Sequence, residues 1–290
     1  MALRRAAVAP AATSARAALS VTAATHAPES SPHPSTHRGS TFDVSSLHWS
    51  VEGAKQSEFQ PHPVFDPKAI EDLTIEERPP KDMVERMAKG TVTLARSGFD
   101  LVSGYGKDMN RDKWLTRFIF LETVAGVPGM VGAMTRHLRS LAAMRRDRGW
   151  IPALLAEAEN ERMHLMTFIN ERPDNGLVFR AMVMGAQAVA WNLYFLGYLI
   201  SPRFCHSFVG YLETEAVSTY TKAIASLDAG EIPEWTDKSA PAIAIKYWGL
   251  PKDATFRDML LQVRADEAVH CRVNQKLSET DQTAQNPFIH

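Results

Sequence analysis

Two short stretches of this chain carry the same pair of chemically useful residues. NERMHLM (160–166) holds Glu161 and His164, and RADEAVH (264–270) holds Glu267 and His270. On an α-helix, positions i and i+3 share a face, so each pair can point a carboxylate and an imidazole in one direction. One such pair is common by chance. Two of them match half of a bundle-core carboxylate site, which takes a Glu-x-x-His from each of two helices and one further Glu from each of two others. Glu122 in FIFLETVAG and Glu213 in VGYLETEAV complete the set, each inside an apolar run where a solvated face is not expected. Burying an ionised carboxylate is costly unless it is paired or bound to metal, and several can converge around two multivalent cations. Oxygen and imidazole ligands suit iron or manganese better than the thiolate-rich sites of structural zinc. Taken singly, each of these residues reads as an exposed helix carboxylate or a hydrogen-bonded core histidine; the combination carries the metal reading. Glu157, Glu159 and Glu215 read as solvated or outer groups. Asp266, beside Glu267, could orient a ligand histidine through its second ring nitrogen.

The elements that must position these residues are helical. From Lys81 onward the chain is rich in Ala, Leu, Met, Arg and Glu, and helices are expected over about 81–103, 112–143, 150–172, 177–200, 204–228 and 254–277. Turn-forming stretches separate them: SGYGKDMN, RDRG, RPDNG, SP and DAGEIPEWTDKSAP. No strand is expected. GVPG (126–129) should kink or open the second helix, because Pro128 removes a hydrogen bond and crowds the preceding turn. Residues 181–202, AMVMGAQAVAWNLYFLGYLISP, contain no charge and are long enough to cross a bilayer. A crossing there would strand Glu161 and His164 on one side and Glu213 on the other, so the segment is expected on the flank of the bundle or in one leaflet. The first helix sets Met83, Met87, Leu94, Phe99 and Leu101 against Arg86, Lys89 and Arg96, and could form a second interfacial surface.

The totals agree with one large helical domain behind a polar leader. The 290 residues are 45% hydrophobic, enough for a sizeable core, and 32 basic residues balance 33 acidic ones, which leaves no charge excess to argue for nucleic acid. Cys205 and Cys271 are too few for a disulfide framework and form no C-x-x-C, so the chain reads as intracellular. Residues 1–30 are rich in Ala, Ser and Thr, with Arg4, Arg5 and Arg16 and no acid before Glu29, the composition of an organellar transit peptide. Pro, Ser and His continue over 31–80, which suits an extended arm. Five of the ten histidines fall in the leader and arm, without helical spacing or neighbouring carboxylates to make them metal ligands. The helical domain then spans 81–277, and 278–290 form a tail.

FLETVAGVPGMVGAM, AENERMHLMTF, SPRF, VGYLETEAV and RADEAVH resemble the mitochondrial alternative oxidases, over roughly Lys81 to His270. The resemblance implies an all-α, ferritin-like four-helix bundle with a di-iron carboxylate centre and two membrane-interfacial helices, monotopic on the matrix face of the mitochondrial inner membrane and homodimeric. It implies cyanide-insensitive oxidation of ubiquinol with reduction of O2 to water and no proton pumping. By motif, the iron ligands are Glu122, Glu161, His164, Glu213, Glu267 and His270, and Tyr220 matches the family's active-site tyrosine. Arg96, Asp100, Arg117, Leu121 and Thr219, together with Glu122, match positions of the quinol or inhibitor pocket. The arm has no cysteine, so the 2-oxo-acid activation and interchain disulfide of many plant members cannot work here in the same way, and Thr214 stands where some relatives have a third Glu. The rival enzyme is a di-iron hydroxylase acting on a quinone precursor. An iron-storage bundle would not need the apolar segment 181–202, and a metal-free structural bundle would fail metal analysis.

Overall fold

The computed structural model describes residues 62, 65, 67–73, 75, 77–106, 108–172 and 174–288; the leader and most of the arm lie outside them. Among the described residues the helices are α1 (Pro67–Glu71), α2 (Met83–Ser103), α3 (Arg111–Ala142), α4 (Trp150–Glu171), α5 (Leu177–Ile200), α6 (Pro202–Asp228), α7 (Ala242–Trp248) and α8 (Phe256–Glu279). A 3-10 turn at Pro233–Trp235 precedes α7, and Ser239 and Thr255 form an isolated bridge. The six long helices begin and end within two residues of the positions expected from sequence. Their ends follow side-chain chemistry. Asp82 accepts from the Glu85 amide to start α2, Gly104 closes it at φ 66°, and Asn110 accepts from Lys113 to start α3. Ser201 and Pro202 open α6, while Thr255 and Asp258 form a reciprocal capping box on α8. Each such N-cap is worth about 1 kcal/mol.

Four helices form the bundle. The largest contacts pair α3 with α4 and α6 with α8, and contacts of α3 with α6 and α4 with α8 join the two pairs. The main core fills the space between them, with Trp114, Phe118, Phe168, Trp235, Trp248 and Phe256 all fully or nearly fully buried. Short pieces unmarked in the sequence close its ends: α7 packs on α4 and α8, and α1 packs on α8 with Phe65, Ile70 and Leu73 buried in the same core.

Helix α3 is continuous through Pro128, so GVPG does not open it. Gly126, Gly129 and Gly132 make a stripe at intervals of three, along which α4 approaches α3 too closely for side chains. A Cβ on Gly129 would lie 2.5 Å from the Leu154 carbonyl oxygen and 3.1 Å from the Ala158 Cβ. The close approach of α4 supports α3 across the proline, and Gln187 of α5 donates to the nearby Thr123 carbonyl at 2.8 Å. Helix α5 lies along the flank, against α3 and α6, with Tyr194 and Tyr198 as its buried residues. Both α3 and α5 are long and apolar enough to cross a membrane, but half of the α3 window is buried in the protein and only 6% of the α5 window is.

Candidate metal centre

Each bundle helix delivers its residues from an inward face: Glu122 from α3, Glu161 and His164 from α4, Glu213 and Tyr220 from α6, and Glu267 and His270 from α8. All seven are buried. The ligand-type atoms gather into two groups of four, Glu122–Glu161–His164–Glu267 and Glu161–Glu213–Glu267–His270, each within 4.8 Å. Glu161 and Glu267 belong to both. Glu161 sets Oε2 3.5 Å from His164 Nδ1 and Oε1 2.6 Å from His270 Nδ1. Glu267 sets Oε1 3.3 Å from His164 Nδ1 and Oε2 3.6 Å from His270 Nδ1. The two shared carboxylates thus split their oxygens between the two imidazoles, while Glu122 and Glu213 serve one group each.

Close as they are, these atoms are not aligned to hydrogen-bond. Glu122 Oε2, both oxygens of Glu161, Glu267 Oε2 and Nδ1 of both histidines are buried without a hydrogen-bond partner. Buried polar atoms are normally satisfied. Six orphans aimed into one space fit a pair of multivalent cations, since every one can present a lone pair once deprotonated. The charges agree. Burial, eased by His164 and reinforced by the neighbouring carboxylates, pushes the Glu122 carboxyl well above its usual range, and burial followed by Glu267 and Glu161 does the same for Glu213. Burial would raise Glu161 too, but His270 and His164 outweigh it and hold that carboxyl low. Burial would lower both imidazoles, but Asp266 and the glutamates drive His164 well up, and Glu161 and Glu267 drive His270 well up. Protons thus hold the cluster's negative charge in check, a role that metal cations can take over.

Around the cluster lies a layer of fixed donors. Asp266 Oδ2 accepts from His164 Nε2 at 3.0 Å, Asn160 Nδ2 at 2.9 Å and Trp248 Nε1 at 2.9 Å. A carboxylate only accepts, so His164 directs an Nε2 proton at Asp266 and Nδ1 is the nitrogen that faces the cluster. Beyond His270, Asn274 donates to the His270 carbonyl at 3.1 Å and to Glu157 at 2.8 Å, and its oxygen accepts from His206 Nδ1 at 2.9 Å. His206 Nε2 then faces the Tyr198 hydroxyl at 3.2 Å. Burial raises Glu157 to about 7 and lowers His206 to about 4. Tyr220 donates a short hydrogen bond to Glu122 and stacks on Phe118 at 4.8 Å; burial, then the Glu122 charge, keep its phenol protonated.

The residues matched to a quinol pocket lie beside the bundle between α2, α3 and α6. Asp100 accepts from Arg96 Nε at 2.8 Å and from Arg117 Nη2 at 2.6 Å. Arg96 also reaches Glu215 Oε2 at 2.9 Å, which makes the partly exposed Glu215 an outer partner in this group. Arg117 lies 3.8 Å over the Tyr105 ring, and Thr219 is buried with its hydroxyl donating to the Glu215 carbonyl at 2.8 Å. Leu121 is half-buried next to Glu122. Glu159 pairs with Arg162 away from the cluster. The sequence reading missed Asn160, Asn274, His206 and the burial of Glu157. Helical spacing was the available signal, since Asn160 precedes His164 by four residues, Asn274 follows His270 by four, and Glu157 precedes Glu161 by four.

An all-helical bundle whose two Glu-x-x-His helices and two further Glu helices meet in one buried cluster defines the class of ferritin-like carboxylate bundles. Within that class, residues 65–279 match the alternative oxidase family, and the chain belongs to it. It is 51% identical over 240 residues to "Alternative oxidase, mitochondrial" of Aspergillus niger, covering 78% of this chain and 68% of the relative. The mitochondrial alternative oxidase of Emericella nidulans is similar to the same extent, and that of Yarrowia lipolytica is 44% identical over 239 residues, covering 78% of this chain and 67% of the relative.

Proposed function

We propose that this protein is a ubiquinol:oxygen oxidoreductase, a cyanide-insensitive and non-proton-pumping terminal oxidase of the respiratory chain. The observation that carries the reading is the division of Glu161 and Glu267 between His164 and His270. Two irons would be held by these four residues, with Glu122 completing one ligand group and Glu213 the other. When bound, the iron pair supplies the reversible electron transfer to O2 that no side chain here can provide.

The chain's own residues do the rest. Asp266 keeps the His164 proton on Nε2, so that Nδ1 remains a ligand. Arg96, Asp100 and Arg117 bind and orient the quinol head group, and the rigid salt bridges among them fix donor and acceptor directions before substrate arrives. Tyr220 is the catalytic residue between that group and the cluster: Thr219 precedes it on α6, and its hydroxyl already bonds Glu122, a ready path for a proton from the quinol side. The aromatic packing of Phe118 and Phe168 around the Tyr220 ring excludes water. O2 takes four electrons to become water and each quinol gives two, so two quinols turn over per O2.

The remaining assignments follow the family. Residues 1–30 serve as a mitochondrial transit peptide, 31–80 as an arm, 81–277 as the oxidase domain and 278–290 as a tail. The protein works as a homodimer on the matrix leaflet of the inner membrane, a reading supported by the exposed apolar residues of α2 (Met83, Met87, Leu101) and α5 (Met184, Leu193, Ile200). The test is oxygen uptake by purified protein with a short-chain ubiquinol in cyanide, beside Glu161→Ala. Uptake with two quinols lost per O2, absent in the variant, is expected. An oxygenated quinone product would move the hydroxylase reading to first place, and no uptake by a folded, iron-loaded protein would sink the oxidase reading.

A further inference from the structure

The chain ahead of α1 reaches into the layer around the cluster. His62 Nε2 lies 2.9 Å from Asp266 Oδ1, with both side chains nearly fully buried. The imidazole sits among three aromatic rings: Tyr247 at 4.7 Å, Phe65 edge-on at 5.8 Å and Trp248 edge-on at 6.2 Å. Its Nδ1 is buried with no hydrogen-bond partner, so Nε2 is the polar atom its site uses. Asp266 can only accept, which puts the His62 proton on Nε2. The other oxygen of the same carboxylate holds Asn160, Trp248 and His164. His62 is therefore the donor that steadies Asp266 from the side opposite His164.

We propose that His62 is a positioning residue of the metal centre, which acts through Asp266 to fix the ring orientation and tautomer of His164. The proposal rests on His164 being a metal ligand. Removing the donor frees one oxygen of a buried carboxylate, which lets the group turn and weakens its hold on the His164 Nε2 proton. Partners of metal-bound histidines act in this way, and their loss typically weakens metal binding by about 10- to 100-fold.

Two substitutions separate donor from ring. His62→Gln keeps an N–H donor and loses the imidazole, whereas His62→Phe keeps an aromatic ring against Tyr247 and Trp248 and loses the donor. Full-length protein is loaded with iron, and three properties are read: iron per chain, the rate of iron release to a ferrous chelator, and the electron paramagnetic resonance spectrum after one-electron reduction. His62→Phe is expected to release iron about 10-fold faster, at the lower end of that range, with a changed spectrum. His62→Gln should keep the parent's spectrum and release rate even if its melting temperature falls. A parent-like spectrum and release rate in His62→Phe, or equal changes in both variants, would overturn the proposal. So would failure of His62→Phe to fold, because the hydrogen bond would then be a condition of the fold and not of the centre. A parent protein that binds no iron would instead sink the metal reading beneath it, and iron analysis of the parent tells the two failures apart.

Discussion

His206 is a buried base that the cluster does not use, and its environment sets a pH limit on the molecule. Its Nδ1 donates to Asn274 and its Nε2 faces Tyr198, so the site accommodates the neutral ring. Burial, only partly countered by Asn274, lowers its pKa to about 4 from the usual 6.5. The unfolded chain therefore binds a proton at higher pH than the folded one, and stability must fall as pH drops from about 6.5 to 4. At 1.36 kcal/mol per unit, this one group removes roughly 3 kcal/mol across that window. His206→Gln, whose amide cannot titrate, is expected to flatten the stability profile by about one proton between pH 6.5 and 4 while changing little above pH 7. Urea melts at pH 7, 6 and 5 read this directly, and an unchanged slope would disprove the assignment. At this scale the six residues of the cluster were legible in the sequence, because Glu-x-x-His on one helix face is a local pattern. Asp266 was legible too, as a carboxylate beside Glu267 able to orient a histidine, but its partners His62 and Trp248 were not. They meet only when chain ends far apart are folded together, and no spacing within a segment announces that.

Helix positions were equally legible, since Asp82, Asn110, Ser201 and Thr255 mark where helices begin. The behaviour of α3 at Pro128 was not, because its cause lies in the neighbouring helix. A proline reads as a break from its own sequence; the stripe of Gly126, Gly129 and Gly132 lets α4 pack close along the helix, which continues past it. Helices α1 and α7 escaped notice for a related reason, being too short to show a period and ordered by the core they close. The crossing of α3 and α4 also sets the distance between Glu122 and the Glu161–His164 pair. Gly129→Ala would put a methyl 2.5 Å from the Leu154 carbonyl, against backbone that cannot swing aside. The two helices must separate, at a cost of about 1–3 kcal/mol. The melting temperature is expected to fall and iron content with it, whereas Gly185→Ala on α5, with open space around it, should leave both unchanged. Equal iron content in the two variants would show that the crossing does not govern the site.

Among the described residues, α5 presents a long apolar side that stays largely exposed. Leu193 and Leu196 of α5 are 67% and 54% exposed. Under the membrane-surface reading they enter the lipid interface, and an aspartate at each costs on the order of 2 kcal/mol, as for charges placed in apolar membrane regions. The double variant Leu193→Asp, Leu196→Asp is expected to leave lipid vesicles in sedimentation while keeping its helical content and iron. Retention on vesicles would place the membrane face elsewhere.

The first packed segment of the chain is tied to the last helix. Arg264 donates to the Glu71 carbonyl across 193 positions of sequence, and Arg78 pairs with Glu279 across 201. A ribosome delivers the N-terminal partners of these contacts long before their C-terminal ones exist, so the loop closes only after α8 has been made. Closing so distant a pair is slow relative to forming helices. The Glu267 and His270 half of the cluster arrives at the same late moment, so a nascent or truncated chain has no complete place to put iron. On the metal reading, loading is thereby confined to chains in which α8 has already been made.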